Sequence, residues 1–214
     1  MNREEKEQAL QELNAKWAKA DLPLKKVATH DVPGEGNPNA DIMFIGEGPG
    51  KNEDEQGRPF VGAAGKFLDE LVQSIGLTRQ DVFIANVIKH RPPGNRDPLP
   101  EETEAYKPWL EEQINIIQPK LFVTLGRYSM EWMLGSGLSI SKIHGQPKRN
   151  KRGQIVMPMY HPAAALYRGD LRSVLADDFT KIPKVLKLIE EGKISTGEEE
   201  EEKSTPVEQQ RSLL

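Results

Sequence analysis

Short apolar runs separated by amphipathic segments form the dominant pattern along this chain. Four runs have the length and composition of buried strands, at residues 42–45, 82–87, 121–125 and 155–159. Apolar residues at helical spacing predict helices over residues 3–19, 64–75, 101–117, 128–134 and 171–191. Strands that alternate with helices indicate a parallel sheet covered on both faces. The pattern therefore predicts an α/β fold, a three-layer α/β/α sandwich around a central four-stranded parallel twisted sheet.

Three polar stretches interrupt this pattern. We predict that residues 51–58 form a polar loop over one edge of the sheet. Residues 89–96 form a long loop, because their prolines do not fit regular structure. Residues 148–153 read as an exposed turn rich in basic side chains.

The composition changes after Gly192, where five consecutive glutamates stand among Ser, Thr, Pro and Gln. Such a segment cannot bury a core, so we divide the chain into a folded domain over residues 1–192 and an acidic, disordered tail over residues 193–214. The tail holds three basic and six acidic residues, which accounts for three of the four net negative charges of the chain. The nearly neutral remainder is compatible with a basic face that binds nucleic acid.

Composition also excludes several kinds of chemistry. Cysteine is absent, which excludes disulfides, thiolate nucleophiles and cysteine-ligated metals. No apolar run is long enough to cross a membrane, and the first ten residues are too charged for a signal peptide. We therefore expect a cytoplasmic protein without a membrane partner.

The candidate site begins at the loop after the first strand, G-E-G-P-G at residues 46–50. Its three glycines let a ligand approach the backbone closely, and they surround a single carboxylate, Glu47. Ligands of open α/β sheets bind outside the carboxyl ends of the strands. We therefore predict a pocket built against this loop.

Three further side chains are expected at the same edge: Phe60 on the following loop, Asn86 in the second strand and His161 after the fourth. The ring can stack on a planar heterocycle, the amide offers a donor beside an acceptor, and the imidazole can donate to an oxygen that gains charge. Each residue also has a structural interpretation, as a core ring, a structural hydrogen bond and a helix cap. Together they favour a site for a polar, planar base.

A P-loop of the nucleotide-binding type is a second interpretation of residues 46–51. The Walker pattern requires four residues between its glycines and Ser or Thr after the lysine. Here three residues separate Gly46 from Gly50, and Asn52 follows Lys51. This spacing disfavours a P-loop.

Five motifs in chain order resemble the family 4 uracil-DNA glycosylases. They are G-E-G-P-G at 46–50, G-R-P-F-V-G-A-A-G-K at 57–66, N-V-I-K at 86–89, R-P-P-G-N-R at 91–96 and Y-H-P at 160–162. The resemblance, over residues 22–191, implies a DNA repair enzyme that flips uracil out of DNA and hydrolyses its N-glycosidic bond, leaving an abasic site. A uracil-DNA binding protein without turnover, or a glycosylase for another deaminated base, remains an alternative.

The resemblance also implies roles for individual residues. Phe60 stacks on the flipped uracil, Asn86 reads its Watson–Crick edge, and His161 stabilises charge on O2 of the leaving base. Glu47 orients water or the sugar, and the backbone of Gly48 contacts the base; which group activates water stays open. Weaker DNA contacts are assigned to Arg91, Asn95, Arg96 and Leu166, the last as a wedge with a core leucine as its alternative.

Family members usually carry a four-iron, four-sulfur cluster on four cysteines. The corresponding positions here are Lys19, Leu22, His90 and Tyr106, and of these only His90 could bind iron. We therefore expect no cofactor or metal, with apolar packing in place of the cluster. The implied partner is uracil-containing DNA, single- or double-stranded, bound by a monomer whose tail could contact another repair or replication protein.

Overall fold

A six-stranded sheet runs through residues 1–194, the part of the chain that the computed structural model describes. Its strands are β1 (Glu35–Gly36), β2 (Ile42–Gly46), β3 (Phe83–Asn86), β4 (Leu121–Leu125), β5 (Lys148–Arg149) and β6 (Ile155–Met159). Their spatial order is β1-β3-β2-β4-β6-β5. The four predicted strands form the parallel centre, and the two short edge strands pair antiparallel with β3 and β6.

Helices cover both faces of this sheet. They are α1 (Arg3–Trp17), α2 (Lys51–Gln56), α3 (Ala63–Ser74), α4 (Pro100–Ile117), α5 (Arg127–Leu134), α6 (Ile140–Ile143), α7 (Ala164–Tyr167), α8 (Asp170–Thr180) and α9 (Ile182–Glu190). One apolar cluster joins α3, α8 and α9 to the sheet, and a second joins α1, α4 and α5 to its other face. The predicted three-layer α/β/α architecture is confirmed.

Two predicted elements were wrong. Residues 51–58 were expected to be a loop, but they begin with helix α2, which is too short to show a helical apolar pattern. The buried carboxylate of Asp54 anchors this helix by accepting hydrogen bonds from the backbone N–H and hydroxyl of Thr29, at 2.8 and 2.9 Å. The helix predicted over residues 171–191 is divided into α8 and α9, because Pro183 lacks the N–H that a continuous helix would need.

The remaining boundaries lie close to the predicted ones. Of the basic turn predicted at 148–153, the first two residues instead form strand β5, and residues 150–153 lie in the turn of its hairpin with β6. Within residues 1–194, no helix is long and apolar enough to span a bilayer. The predicted tail lies outside the described residues from position 195 onward, so the domain boundary at residue 192 stays a prediction.

The parallel centre brings the ends of its strands to one edge. Beyond β2 and β3 the backbone pairing continues, with Ile88 N–H donating to the carbonyl of Glu47 at 3.1 Å. After β4, Gly126 N–H donates to the carbonyl of Met159 at 2.8 Å, which fixes the chain just before Tyr160 and His161. The candidate loops are therefore held by the sheet itself.

Candidate active site

A cavity of about 350 Å³ opens at the carboxyl edge of the sheet. The predicted site residues in its lining are Glu47, Gly48, Phe60, Asn86, Asn95, Arg96 and His161. Arg91 and Leu166 lie outside that lining. A larger cavity of about 520 Å³ lies at the other end of the strands, beside the carboxyl end of α4, and holds none of the predicted residues. The carboxyl edge is therefore where the candidate chemistry converges.

Phe60 forms one wall of this cavity. Its ring centroid lies 5.5 Å from that of His161, with 24° between the ring planes. A side chain at Gly46 would place its Cβ 2.6 Å from Phe60 Cζ and 2.3 Å from Asn86 Oδ1. Glycine at this position is therefore what lets the ring and the amide approach each other.

Asn86 presents a buried amide at the end of β3. The residue is only 2% exposed, and its Oδ1 accepts no hydrogen bond from the residues that the structure describes. An unpaired acceptor in the interior is costly, and natural proteins rarely retain one without a reason. The amide oxygen is therefore available to a donor on a ligand.

His161 is held as a neutral imidazole. Its Nδ1 accepts a hydrogen bond from the backbone N–H of Ala163 at 3.1 Å, which leaves the ring proton on Nε2. Burial lowers the pKa of His161 to about 4, and the negative charge of Glu53 only partly opposes that effect. At neutral pH the ring is therefore an uncharged hydrogen-bond donor.

Glu47 has the opposite perturbation. Burial, followed by the negative charge of Asp97, raises the pKa of Glu47 to about 7, against a smaller lowering by Arg127. The Tyr128 hydroxyl donates to the same Asp97, which ties the 89–98 loop to α5. This carboxyl group therefore titrates in the neutral range, where a proton-transfer or water-orienting group is most useful.

Sequence reasoning missed three of these neighbours: Glu53, Asp97 and Arg127. Glu53 and Asp97 line the cavity, and Arg127 begins α5 directly after Gly126. Asp97 follows the R-P-P-G-N-R motif immediately, so its position in the chain was a usable signal. Glu53 and Arg127 gave none, because their relevance depends on which loops meet in space.

The predicted DNA contacts differ in how free their side chains are. Arg96 makes two hydrogen bonds of 2.8 and 2.6 Å to Glu102 at the start of α4, so its charge is already compensated. Arg91 donates to Asn95 Oδ1 at 2.6 Å. Leu166 is 43% exposed on α7, which disfavours its alternative as a core leucine. Contact of these residues with DNA stays a prediction.

The residues at the positions of the family's iron–sulfur cluster are not suited to hold such a cluster. His90 uses both ring nitrogens: Nδ1 accepts from the Tyr106 hydroxyl, and Nε2 pairs with Asp31 Oδ1, each at 2.6 Å. Lys19 is exposed and Leu22 is buried, and residues 1–194 contain no group of three or more His, Asp or Glu able to hold a metal. With cysteine absent from the whole sequence, no thiolate is available.

The expected apolar filling of that region was wrong in part. Leu22 is buried, and the indole rings of Trp17 and Trp109 stack with centroids 5.7 Å apart, as apolar packing requires. Tyr106, however, belongs to a polar chain with His90 and Asp31. A tyrosine hydroxyl buried away from water needs a partner, and the histidine supplies it.

Comparison with known proteins agrees with this fold. The family model described as the uracil DNA glycosylase superfamily matches residues 33–182. This range includes β2 to α8 and the residues that line the cavity at the carboxyl edge. The chain belongs to the uracil DNA glycosylase superfamily.

Within that superfamily the chain is similar to type-4 enzymes. It is 53% identical to the "Type-4 uracil-DNA glycosylase" of Sulfurisphaera tokodaii, over 74% of this chain and 76% of that protein. It is 46% identical to the protein of the same name from Archaeoglobus fulgidus, over 74% of this chain and 83% of that protein. It is 43% identical to that of Thermotoga maritima, over 77% and 88% respectively. The resemblance to family 4 is thereby confirmed.

Proposed function

We propose that this protein excises uracil from DNA by hydrolysing the bond between N1 of uracil and C1′ of its deoxyribose. The observation that carries the proposal is the buried Oδ1 of Asn86, which has no partner within residues 1–194, beside a neutral imidazole and an aromatic wall. These three groups match the face, the edge and the departing charge of one pyrimidine. The product is an abasic site, the first intermediate of base excision repair.

Recognition follows from hydrogen-bond polarity. A uracil in a duplex is inaccessible, so it must be flipped out, at a cost of roughly a few kcal/mol. Asn86 Oδ1 then accepts from N3–H, and its amide N–H group donates to O4. Cytosine presents an acceptor at N3 and a donor at C4, which would leave Asn86 opposed on both atoms. The Phe60 ring stacks on the face of the bound base.

Bond cleavage depends on stabilising uracil as it leaves. As the C1′–N1 bond breaks, its electron pair passes to the base and negative charge develops on O2. The Nε2–H of His161 donates to that oxygen, and because the ring is already neutral it does not lose its proton to solvent at neutral pH. A preorganised donor of this kind lowers the barrier by roughly 3 kcal/mol. The oxygen of water then bonds to C1′, and the proton that it loses passes through the solvent to neutralise the uracil anion.

Glu47 is the carboxylate available to orient that water or the sugar. With its pKa near 7, a large fraction of the group is ionised at neutral pH. The Gly48 backbone lies in the same wall and contacts the base. The nearby Asp97 raises the Glu47 pKa and so influences the pH at which the carboxylate becomes available.

A fluorescent oligonucleotide with a single dU tests this function. Excision followed by alkali gives a shortened product, and oligonucleotides with dT or dC in its place give none. Asn86→Ala and His161→Ala should both lose most of the activity, whereas Asn115→Ala, an exposed amide on α4, should retain it. Binding of the dU strand without any cleavage by the unaltered protein would instead support the alternative of a uracil-DNA binding protein.

We further propose that the protein functions without the iron–sulfur cluster of its relatives. The hydrogen-bonded chain of Asp31, His90 and Tyr106 supports this, because it links the N-terminal segment, the 89–98 loop and α4. Purified protein should be colourless and free of iron by elemental analysis. A brown preparation that absorbs at about 400 nm would contradict the proposal.

The cellular setting is also proposed rather than shown. We expect a cytoplasmic monomer whose acidic tail binds another repair or replication protein. Light scattering of the purified chain measures whether it is a monomer. Pull-downs against candidate repair and replication proteins, with the full chain and with one ending at residue 194, measure whether the tail binds them.

A further inference from the structure

The backbone at Phe60 is held in a conformation that side chains rarely adopt. Its φ is +52°, in the left-handed region that favours glycine. The carbonyl of Phe60 also lies against Gly65, where an added Cβ would be only 1.8 Å from the oxygen, so this close approach requires glycine. Strain of this kind persists only where surrounding contacts over-determine the conformation.

Arg79, on the loop before β3, supplies several of these contacts. Its guanidinium donates to the carbonyl of Phe60 at 3.0 Å and to the carbonyl of Pro59 at 2.6 Å. The remaining donors bind Asp69 Oδ1 at 2.8 Å and Glu35 Oε1 at 3.1 and 2.8 Å. All five N–H groups of the side chain are thus used, and the two carboxylates fix the plane of the fork.

The opposite side of the same turn is held by Glu53. One of its oxygens accepts from the backbone N–H groups of Val61 and Gly62, both at 2.9 Å. Four backbone groups of residues 59–62, two carbonyls and two N–H groups, therefore bind two charged side chains. Glu53 lines the cavity, whereas Arg79 does not line it and binds the turn through the carbonyls of Pro59 and Phe60.

We propose that Arg79 is a positioning residue, which orients the Phe60 ring for stacking on the extruded base by holding the carbonyls of residues 59 and 60. The inference rests on the proposed function and extends it to a residue without substrate contact. A neutral or shorter side chain at 79 leaves both carbonyls without their shared donor. The turn then relaxes from its left-handed conformation and the ring leaves the stacking plane.

A double-mutant cycle tests this coupling. We compare Arg79→Met, Phe60→Ala and the double variant for single-turnover excision of dU and for inhibition by free uracil. Arg79→Met should lower excision roughly 10- to 100-fold and weaken uracil inhibition, since small misplacements of binding groups have effects of that size. In the Phe60→Ala background the same change should have less than about a twofold effect, because the ring through which Arg79 acts is gone.

Two controls separate positioning from loss of folding. Arg58→Met removes two hydrogen bonds to the same Glu35 but leaves the hydrogen bonds to the carbonyls of residues 59 and 60 in place, so excision should stay unchanged. Arg79→Lys keeps the charge without the planar fork and should restore excision only in part. All variants are measured below their thermal unfolding midpoints, recorded by circular dichroism.

The outcomes are distinguishable. Independent, multiplicative effects of Arg79→Met and Phe60→Ala would overturn the positioning role, as would full activity of Arg79→Met. If the unaltered protein fails to excise uracil at all, the proposed function itself is wrong. If it excises uracil and Arg79→Met has little further effect in the Phe60→Ala background, both the proposed function and the positioning role stand.

Discussion

Two buried polar clusters in this protein differ in whether their hydrogen bonds are complete. Beneath α4, Tyr106 donates to His90, and His90 pairs with Asp31, so both imidazole nitrogens have partners. At the carboxyl edge, Asn86 Oδ1 has none among the described residues, and the hydrogen bond found for the His161 ring uses Nδ1 alone. Both clusters combine a histidine with other buried polar groups, and the second lines the cavity at the carboxyl edge.

The difference indicates which polar groups serve folding and which serve a ligand. A buried polar group without a partner costs stability, whereas a fully paired network rigidifies the interior. The cluster under α4 should therefore contribute to the free energy of unfolding and little to excision. The cluster at the carboxyl edge should do the reverse, and five substitutions or titrations test this division.

The largest expected effect follows from His161→Ala. Loss of the donor to O2 should lower the single-turnover excision rate roughly 10²- to 10³-fold. Affinity for undamaged duplex, measured by fluorescence anisotropy, should change less than about threefold, because the ring contacts the extruded base and not the phosphates. Equal losses of rate and of affinity would contradict the assigned role.

Asn86→Ala should have the next largest effect. Removing the group that reads the base edge should reduce kcat/KM for dU about 10- to 100-fold, the scale of a specific buried hydrogen bond. The free energy of unfolding, from urea denaturation, should be unchanged or slightly higher, because the substitution deletes an unpaired acceptor. A marked destabilisation would show that Asn86 has a structural partner after all.

The pH dependence of excision tests Glu47. If the carboxylate is the active form, the rate should rise as pH increases through about 7, by up to about tenfold per pH unit below that value. Glu47→Gln should abolish the rise. A pH profile unchanged in the variant would assign the titration to another group.

Glu47 and His161 should make the free energy of unfolding depend on pH in opposite directions. The folded pKa of Glu47, about 7, exceeds its ordinary value, so its contribution is complete below about 4.5 and is lost as pH rises through 7. The folded pKa of His161, about 4, is below its ordinary value, so its contribution is complete above about 6.5 and is lost as pH falls through 4. Urea denaturation of Glu47→Gln and of His161→Ala between pH 4 and 8 measures the contribution of each residue to the free energy of unfolding.

Tyr106→Phe should have the smallest effect on excision, within about twofold, and should lower stability by roughly 1–3 kcal/mol because His90 Nδ1 loses its donor. Tyr167→Phe removes the same hydroxyl from a residue that is 89% exposed and should leave the free energy of unfolding unchanged. A loss of excision as large as that of Asn86→Ala would show that the two clusters are not independent.

Much of the fold was accessible from the sequence because apolar runs report burial directly. The four central strands were each located to within about two residues at either end, and the prediction for β4 matched its observed bounds, 121–125. Residues with few structural alternatives, such as Asn86 in an apolar strand, also marked the site. Helix α2 was missed because six residues carry no periodic signal, and the break between α8 and α9 because one apolar face continues across it.

The sequence by itself determined the four central strands, the motifs of the carboxyl edge and the absence of thiolates. Only the tertiary structure decided how Phe60 is oriented, and that Tyr106 joins a polar chain with His90 and Asp31 instead of the expected apolar filling. The physical reason is that both depend on hydrogen bonds between residues distant in the chain. Arg79 and Glu35 are 44 positions apart, and His90 and Asp31 are 59 apart. Local patterns report burial and turns, but not which distant donor completes which acceptor.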